Sequence, residues 1–295
     1  MRSLISENVP LARFTTWRVG GYARWYCEPK VDEFGYVLDW ARSNACPVYC
    51  LGRGSNILVP DEGVDGLVIH TRNSLRGLSV VGANIYAESG VSLPRLAKFA
   101  AAHGCAGYEF LIGIPGTVGG GVCMNAGTTA FHPREIADVI VDASVIDREG
   151  KCHVLSRDSL GFNYRQSLIQ QDGAIVVSAR FSMAVSGDPS AIRIRTLEHL
   201  AERKRKQPLD KPTAGSTFKA CNGKPAAWYI DTAGLKGAIV GGASVSNKHA
   251  NWIENSGEAT ARDIANLIDL VRSTVLRIHG VALEPEVRWI TGARV

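Results

Sequence analysis

Apolar residues recur along the chain in two periods, and the alternation between them marks out the elements. Short apolar runs predict strands over Tyr22–Cys27, 47–51 and 67–70. Between the first two, Phe34, Val37, Leu38 and Ala41 share one face of a helix over 31–45. Val80-Val81 and Ile85-Tyr86 flank Gly82-Ala83-Asn84 as a hairpin. Ser92 caps a helix that runs to Ala102 and stops at Gly104. Residues 113–127 are glycine-dense and show no period. Further strands are predicted over 138–146, 152–155 and 174–183, the first two joined by a turn at Asp147-Arg148-Glu149-Gly150.

The texture changes at Ser186-Gly187-Asp188-Pro189, and a domain boundary is placed near residue 187. A charged helix over 191–207 follows, halted by Pro208. Residues 209–216 read as a loop rich in Pro, Gly and Ser. A short helix over 225–233 closes at Gly234. Thr260-Ala261-Arg262-Asp263 resembles a capping box. It opens a helix whose Ile264, Leu267, Ile268, Val271, Val275 and Ile278 form one apolar face up to Gly280.

Composition narrows the class. With 45% hydrophobic and 21% charged residues in 295, the chain is an ordinary globular protein, not disordered, collagen-like or coiled-coil. The formal charge of +5 suits anionic small molecules and does not call for nucleic acid. Seven cysteines without a C-x-x-C pair read as reduced, buried thiols, and neither they nor the histidines carry metal-ligand spacing. The N-terminus lacks a signal-peptide core, and no apolar run is long enough to span a membrane. Glycine is in excess, 31 residues where about 7% is usual. Such an excess implies backbone pressed closely against something.

The candidate chemistry is distributed over five segments. Gly52-Arg53-Gly54-Ser55-Asn56 follows a strand and suits phosphate binding through backbone N–H groups, though by itself a tight turn is the simpler reading. It is neither a Rossmann fingerprint nor a P-loop. The segment from Gly113-Ile114-Pro115-Gly116-Thr117 through Gly119-Gly120-Gly121 to Asn125-Ala126-Gly127 interleaves glycine with Ile, Val and Met. That mixture fits a backbone surface against a flat or phosphorylated ligand better than a flexible linker. Arg165, in Gly161-Phe162-Asn163-Tyr164-Arg165, is an anion clamp or a structural ion pair. Ser216 lacks a G-x-S-x-G elbow and singly reads as a turn serine. Glu286, stiffened by Pro285, is a fixed electrostatic group or a surface carboxylate. The basic end of the charged helix, with Lys206, is a solvated face that also attracts anions.

In order, these segments closely resemble the UDP-N-acetylenolpyruvoylglucosamine reductase family, from Phe14-Thr15-Thr16-Trp17-Arg18-Val19-Gly20-Gly21 to Glu284-Pro285-Glu286-Val287-Arg288. Lys236-Gly237, Gly241-Gly242-Ala243 and Val245-Ser246-Asn247-Lys248-His249-Ala250-Asn251 belong to the same likeness. The compact length resembles the type II class. The resemblance implies an α+β fold: a two-subdomain FAD-binding domain of the PCMH/VAO type over residues 1–186, its subdomains near 1–75 and 76–186. An α+β substrate domain then covers 187–284, and a tail over 285–295 returns toward the FAD domain. It implies non-covalent FAD on the two glycine loops, namely Gly52, Arg53, Gly54, Ser55, Asn56, Gly113, Ile114, Pro115, Gly116, Thr117, Gly119, Gly120, Asn125, Ala126 and Gly127.

NADPH is the implied hydride donor, and a UDP-sugar enolpyruvate ether is the implied substrate. Arg165 and Glu286 are the implied enolate stabilisers, and Ser216 is the implied proton donor. Tyr164, Lys206 and Lys219 are assigned to substrate. The expectation is a cytoplasmic oxidoreductase of peptidoglycan synthesis, a monomer or weak oligomer with no metal, nucleic-acid or membrane partner. Two departures stand out: Ala220-Cys221 where the family usually has Asn-Pro, and Gly121 where alanine is common. The competing readings are another FAD oxidoreductase of the same fold group and a non-catalytic nucleotide-sugar-binding protein.

Overall fold

The computed structural model describes residues 4–128 and 133–290. They form two units, each drawn from separated stretches of chain. One unit comprises Tyr26–Arg53 and Leu67–Glu202 with residues 4–6; the other comprises Glu7–Trp25, Gly54–Gly66 and residues 203–290. The expected division was continuous with a break near 187. In the structure two early segments share a core with the C-terminal part instead, and the later break falls near the end of the helix Pro189–Lys206.

The first unit is built on a five-stranded antiparallel sheet in the order Cys152–Ser156, Ile140–Ile146, Ile175–Ser182, Asn84–Glu88, Leu78–Val81. Ala143 pairs with Ala179, and Ala179 with Ala87, so three small buried side chains stand side by side across the central strands. The short helix Val118–Cys123 packs on this low region and buries Val118 and Val122. The helix Leu93–Ala102 covers the same core; its cap Ser92 accepts a hydrogen bond from the Arg95 N–H, as the sequence predicts. A parallel pairing of Val48–Leu51 with the end of Val64–His70 completes the unit, beside a helix, Phe34–Ser43, that buries Phe34, Val37, Leu38 and Ala41.

The second unit carries a four-stranded antiparallel sheet in the order Thr213–Ser216, Trp252–Asn255, Ala243–Val245, Ile239–Val240. It is backed by the helices Ala226–Thr232 and Ala261–His279. Thr260 and Asp263 form the expected capping box, and the Asp61 carboxylate accepts from the N–H groups of Ala261 and Arg262 at 2.8 and 3.0 Å. Trp17 is wholly buried here; its indole donates to Ile253 O at 2.8 Å while Asn255 Nδ2 donates to Trp17 O at 2.7 Å.

Several expectations change. Thr213–Ser216, read as loop, is a strand, because Trp252–Asn255 supplies a partner that local sequence does not announce. The aperiodic glycine segment contains a 3₁₀ turn, Glu109–Gly113, and the helix Val118–Cys123. The tail strand Arg288–Trp289 runs parallel to Ile57–Leu58, and both belong to the second unit. None of the seven cysteines is in a disulfide, but only Cys27 and Cys105 are buried, while Cys50 and Cys152 are exposed. Among the described residues no helix is long and apolar enough to cross a membrane, and no cluster of metal-ligating side chains occurs.

Candidate functional site

The strand Val48–Leu51 delivers Gly52 against Thr117, where a Cβ would lie 2.3 Å from Thr117 Oγ1 and would have to displace that hydroxyl. The two glycine loops therefore meet within the first unit. Thr117 is 1% exposed and its hydroxyl has no hydrogen-bond partner. Arg53 Nε in the first loop and Ser89 Oγ, which packs against Gly119 of the second, are also buried and unpartnered. Burial and the neighbouring Arg72 lower the Arg53 pKa from the usual arginine value. Unsatisfied buried polar atoms are rare in finished structures, and their concentration here marks a surface completed by something other than the chain.

The three successive glycines differ in what they face. A Cβ on Gly119 would press on Ser89 Cβ at 2.9 Å, and one on Gly121 would press on Leu93 at 3.1 Å. Gly120 is exposed, and its Cβ would meet only Thr117 Oγ1, at 3.8 Å. Protein packing thus accounts for two of the glycines and leaves the third to an external surface. The Gly116 carbonyl accepts from the Leu93 N–H at 3.0 Å, which fixes the approach Gly113–Ile114–Pro115–Gly116.

Asn125, expected on the cofactor, is 1% exposed and its side-chain amide is engaged within the protein. Nδ2 donates to Glu135 Oε2 at 2.7 Å and to Asn163 O at 3.1 Å, and Oδ1 accepts from the Ala137 N–H at 3.0 Å. Ala126 bonds through its backbone to Gly121 and Ile136, and Gly127 pairs with Glu135.

That hairpin seats Arg165. Its Nη2 donates to Gly127 O at 2.9 Å, Nη1 lies 3.8 Å from Glu135 Oε1, and the guanidinium carbon sits 4.9 Å from the Tyr164 ring centre. The backbone is constrained as well: Asn163 and Gln166 exchange hydrogen bonds across a tight turn, which puts Arg165 at φ +56. A non-glycine residue there is uncommon, and the following Ser167 and Gln170 anchor the turn by donating to Cys123 O at 2.7 and 2.6 Å.

In the second unit Ser216 ends its strand opposite Trp252, after Gly215 at φ +80. Glu286 is close by in the chain's return: its N–H donates to Thr217 O at 2.8 Å, and Phe218 bridges to Pro285. Asn56 Nδ2 donates to Glu286 O at 3.1 Å, so this side chain supports the Glu286 backbone. Gly54 has φ +63 with Phe14 O where a Cβ would stand, and Ser55 is half-buried beside it. Lys219 Nζ pairs with Glu284 Oε1 at 2.5 Å, and Lys206 is exposed at the end of Pro189–Lys206. At Ala220-Cys221 the chain enters a tight hairpin through Asn222 and Gly223, both at positive φ.

The structure therefore brings Gly52, Arg53 and Thr117 together with Gly119–Gly120, and separately brings Ser216, Glu286 and Asn56 together. Sequence reasoning missed three supporting residues. Glu135 steadies Arg165, Asn251 holds the Ser216–Phe218 bend, and His70 holds Gly52. Only His70 left a local signal, as a polar residue closing the apolar run Leu67–His70.

Residues 29–156 match the model described as "FAD binding domain", and residues 207–290 match that of the UDP-N-acetylenolpyruvoylglucosamine reductase C-terminal domain. Among curated proteins, a UDP-N-acetylenolpyruvoylglucosamine reductase of Synechococcus sp. (strain JA-3-3Ab) is 44% identical over 96% of this chain and 90% of its own. One from Moorella thermoacetica is 43% identical over 98% and 94%. The crystal structure of the corresponding reductase from Thermus caldophilus superposes with a TM-score of 0.81 at 36% identity, covering 96% of this chain and 98% of that one. The open face at Gly120 and the unpartnered Thr117 hydroxyl fit FAD, whose approach they leave room for and a hydrogen bond to accept or donate.

Proposed function

The chain belongs to the UDP-N-acetylenolpyruvoylglucosamine reductase family, FAD flavoenzymes, and from that membership we propose that it uses NADPH to reduce UDP-N-acetyl-3-O-(1-carboxyvinyl)-glucosamine to UDP-N-acetylmuramate, a cytoplasmic step of peptidoglycan precursor synthesis. FAD, when bound, carries the hydride from NADPH to the enolpyruvyl C3. The remaining chemistry falls to the chain's own residues. Arrival of hydride at C3 pushes negative charge onto the carboxylate conjugated with C2. Arg165 opposes that charge with a guanidinium held in one plane by Gly127 O, Glu135 and Tyr164, so little reorganisation is needed. Glu286, as a hydrogen-bonding or protonated carboxyl, assists. The Ser216 hydroxyl hands its proton to C2, a feasible transfer because the enolate is strongly basic and the donor is fixed.

The observation that carries this reading most is the Glu286 N–H to Thr217 O hydrogen bond, which brings Glu286 next to the strand end bearing Ser216. Tyr164 takes the nicotinamide or substrate side of Arg165, and Lys206 and Lys219 supply positive charge for the diphosphate, with Lys219 exchanging Glu284 for the ligand. The test is a purified yellow protein whose flavin is bleached by NADPH and recolours on adding the enolpyruvyl UDP-sugar. A colourless protein, or a reduced flavin that ignores this substrate, removes the reading.

A further inference from the structure

His70 closes the strand Val64–His70 and is 1% exposed. Its Nε2 lies 3.0 Å from Gly52 O. On the other side of the ring, Nδ1 lies 2.7 Å from the Tyr26 hydroxyl and 3.1 Å from Glu28 Oε1. The Tyr26 hydroxyl also lies 2.5 Å from Glu28 Oε1, and Asn73 Nδ2 donates to that oxygen at 2.7 Å. A carbonyl oxygen only accepts, whereas the Tyr26 hydroxyl can give its proton to Nδ1, so a neutral ring carries its proton on Nε2 and a protonated ring keeps one there. The alternative neutral tautomer would set a lone pair against Gly52 O.

The consequence falls on the next peptide. The chain has no cis peptide bond among the described residues, so across the Gly52–Arg53 link the carbonyl and the N–H point in opposite directions. With Gly52 O drawn inward to His70, the Arg53 N–H is turned outward. A carbonyl in its place would repel a phosphate; an N–H attracts one. Gly52 cannot settle this alone, since glycine gives the least resistance to a peptide flip.

We infer that His70 is a positioning residue for the cofactor: its Nε2–H fixes the Gly52–Arg53 peptide plane so that the Arg53 N–H is presented to the FAD diphosphate, with Tyr26 and Glu28 orienting the ring. The inference rests on the reading that the Gly52–Asn56 loop binds FAD.

The test compares His70→Gln, whose side-chain amide N–H reaches the Nε2 position, with His70→Asn, whose amide reaches only the Nδ1 position. FAD is titrated into each apoprotein by flavin fluorescence, and hydrogen exchange is followed in the peptide carrying Arg53. His70→Gln should stay within about threefold of the wild-type Kd, while His70→Asn should weaken FAD by about tenfold or more, the loss of one buried hydrogen bond. Equal affinities in the two variants, or a His70→Gln apoprotein that does not fold, would overturn the role. Wild-type protein that takes up FAD without slowing exchange at Arg53 would instead refute the loop assignment beneath it.

Discussion

The side-chain amide of Asn251 closes on the backbone of Phe218 from both directions, its Oδ1 accepting from the Phe218 N–H at 3.0 Å and its Nδ2 donating to the Phe218 carbonyl at 2.8 Å. Asn251 is 6% exposed, and its own carbonyl accepts from the Thr217 N–H at 2.8 Å. Asn251→Ala leaves a buried donor and acceptor at Phe218, costing about 2–4 kcal/mol. A melting temperature within a degree or two of wild type would show that water replaces the amide.

Ser216→Ala separates the two half-reactions. NADPH should bleach the flavin at nearly the wild-type rate, since no proton is then needed at C2. Reoxidation by the enolpyruvyl substrate should fall by orders of magnitude. Stopped-flow absorbance reads both steps, and equal slowing of the two would reject Ser216 as the donor.

Arg165→Ala should abolish the second half-reaction and weaken NADPH binding. Glu135→Gln keeps the shape but loses the charge that steers Nη1, so it should impair the same step less, by about tenfold. Full turnover in Arg165→Ala would reject the clamp.

Adjacent glycines should respond in opposite ways. Gly119→Ala drives a methyl into Ser89 Cβ and should destabilise the apoprotein by about 1–3 kcal/mol. Gly120→Ala meets only the Thr117 hydroxyl, at an ordinary 3.8 Å, and should leave the apoprotein as stable or firmer by about 0.5–1 kcal/mol. The second variant should nevertheless bind FAD more weakly. Thermal melts with and without FAD distinguish the two, and unchanged FAD affinity in Gly120→Ala would deny that the cofactor rests on that face.

Acid should weaken the fold in two stages. Burial holds His70 below the ordinary histidine range, Arg72 adding to it against the pull of Glu28; burial with Lys236 and Arg203 does the same to His249. The unfolded chain therefore takes up these protons first, and stability falls as pH drops below about 6.5. At Glu28 burial pushes upward, but the hydrogen bonds from Tyr26 and Asn73 and the nearness of His70 outweigh it, leaving the pKa lowered. Its contribution is present above the unfolded value and is lost as pH falls further, below about 4.5. Melting temperatures flat from about pH 7 to about pH 5 would contradict the first stage.

How much of this was legible follows from where each element finds its support. Leu93–Ala102 and Ala261–His279 carry their caps and apolar faces in their own sequence, so they are readable. Thr213–Ser216 has no alternation and becomes a strand only against Trp252–Asn255. Val118–Cys123 contains three glycines, poor helix formers, and is started by Val91 O and Ser89 O, which accept from Val118 and Gly119. Arg165, Ser216 and Glu286 are each unremarkable alone and become a set only in their order along the chain. Asn251 and Glu135 act on residues distant in sequence, so their partners are invisible to any local pattern.

Trp17 gives its indole hydrogen to a carbonyl 236 residues further on, and its backbone carbonyl accepts from a side chain 238 residues further on. During synthesis, then, the most deeply buried tryptophan of the second unit emerges well before the strand Trp252–Asn255 that seats it, with nearly all of the first unit made in between. In the interval the first unit has all of its chain and can settle, while Trp17 waits for the strand and helices that bury it. A fragment limited to residues 207–290 would lack Trp17, Val19 and Leu58 from its core, and would be missing its keystone rather than a peripheral strand.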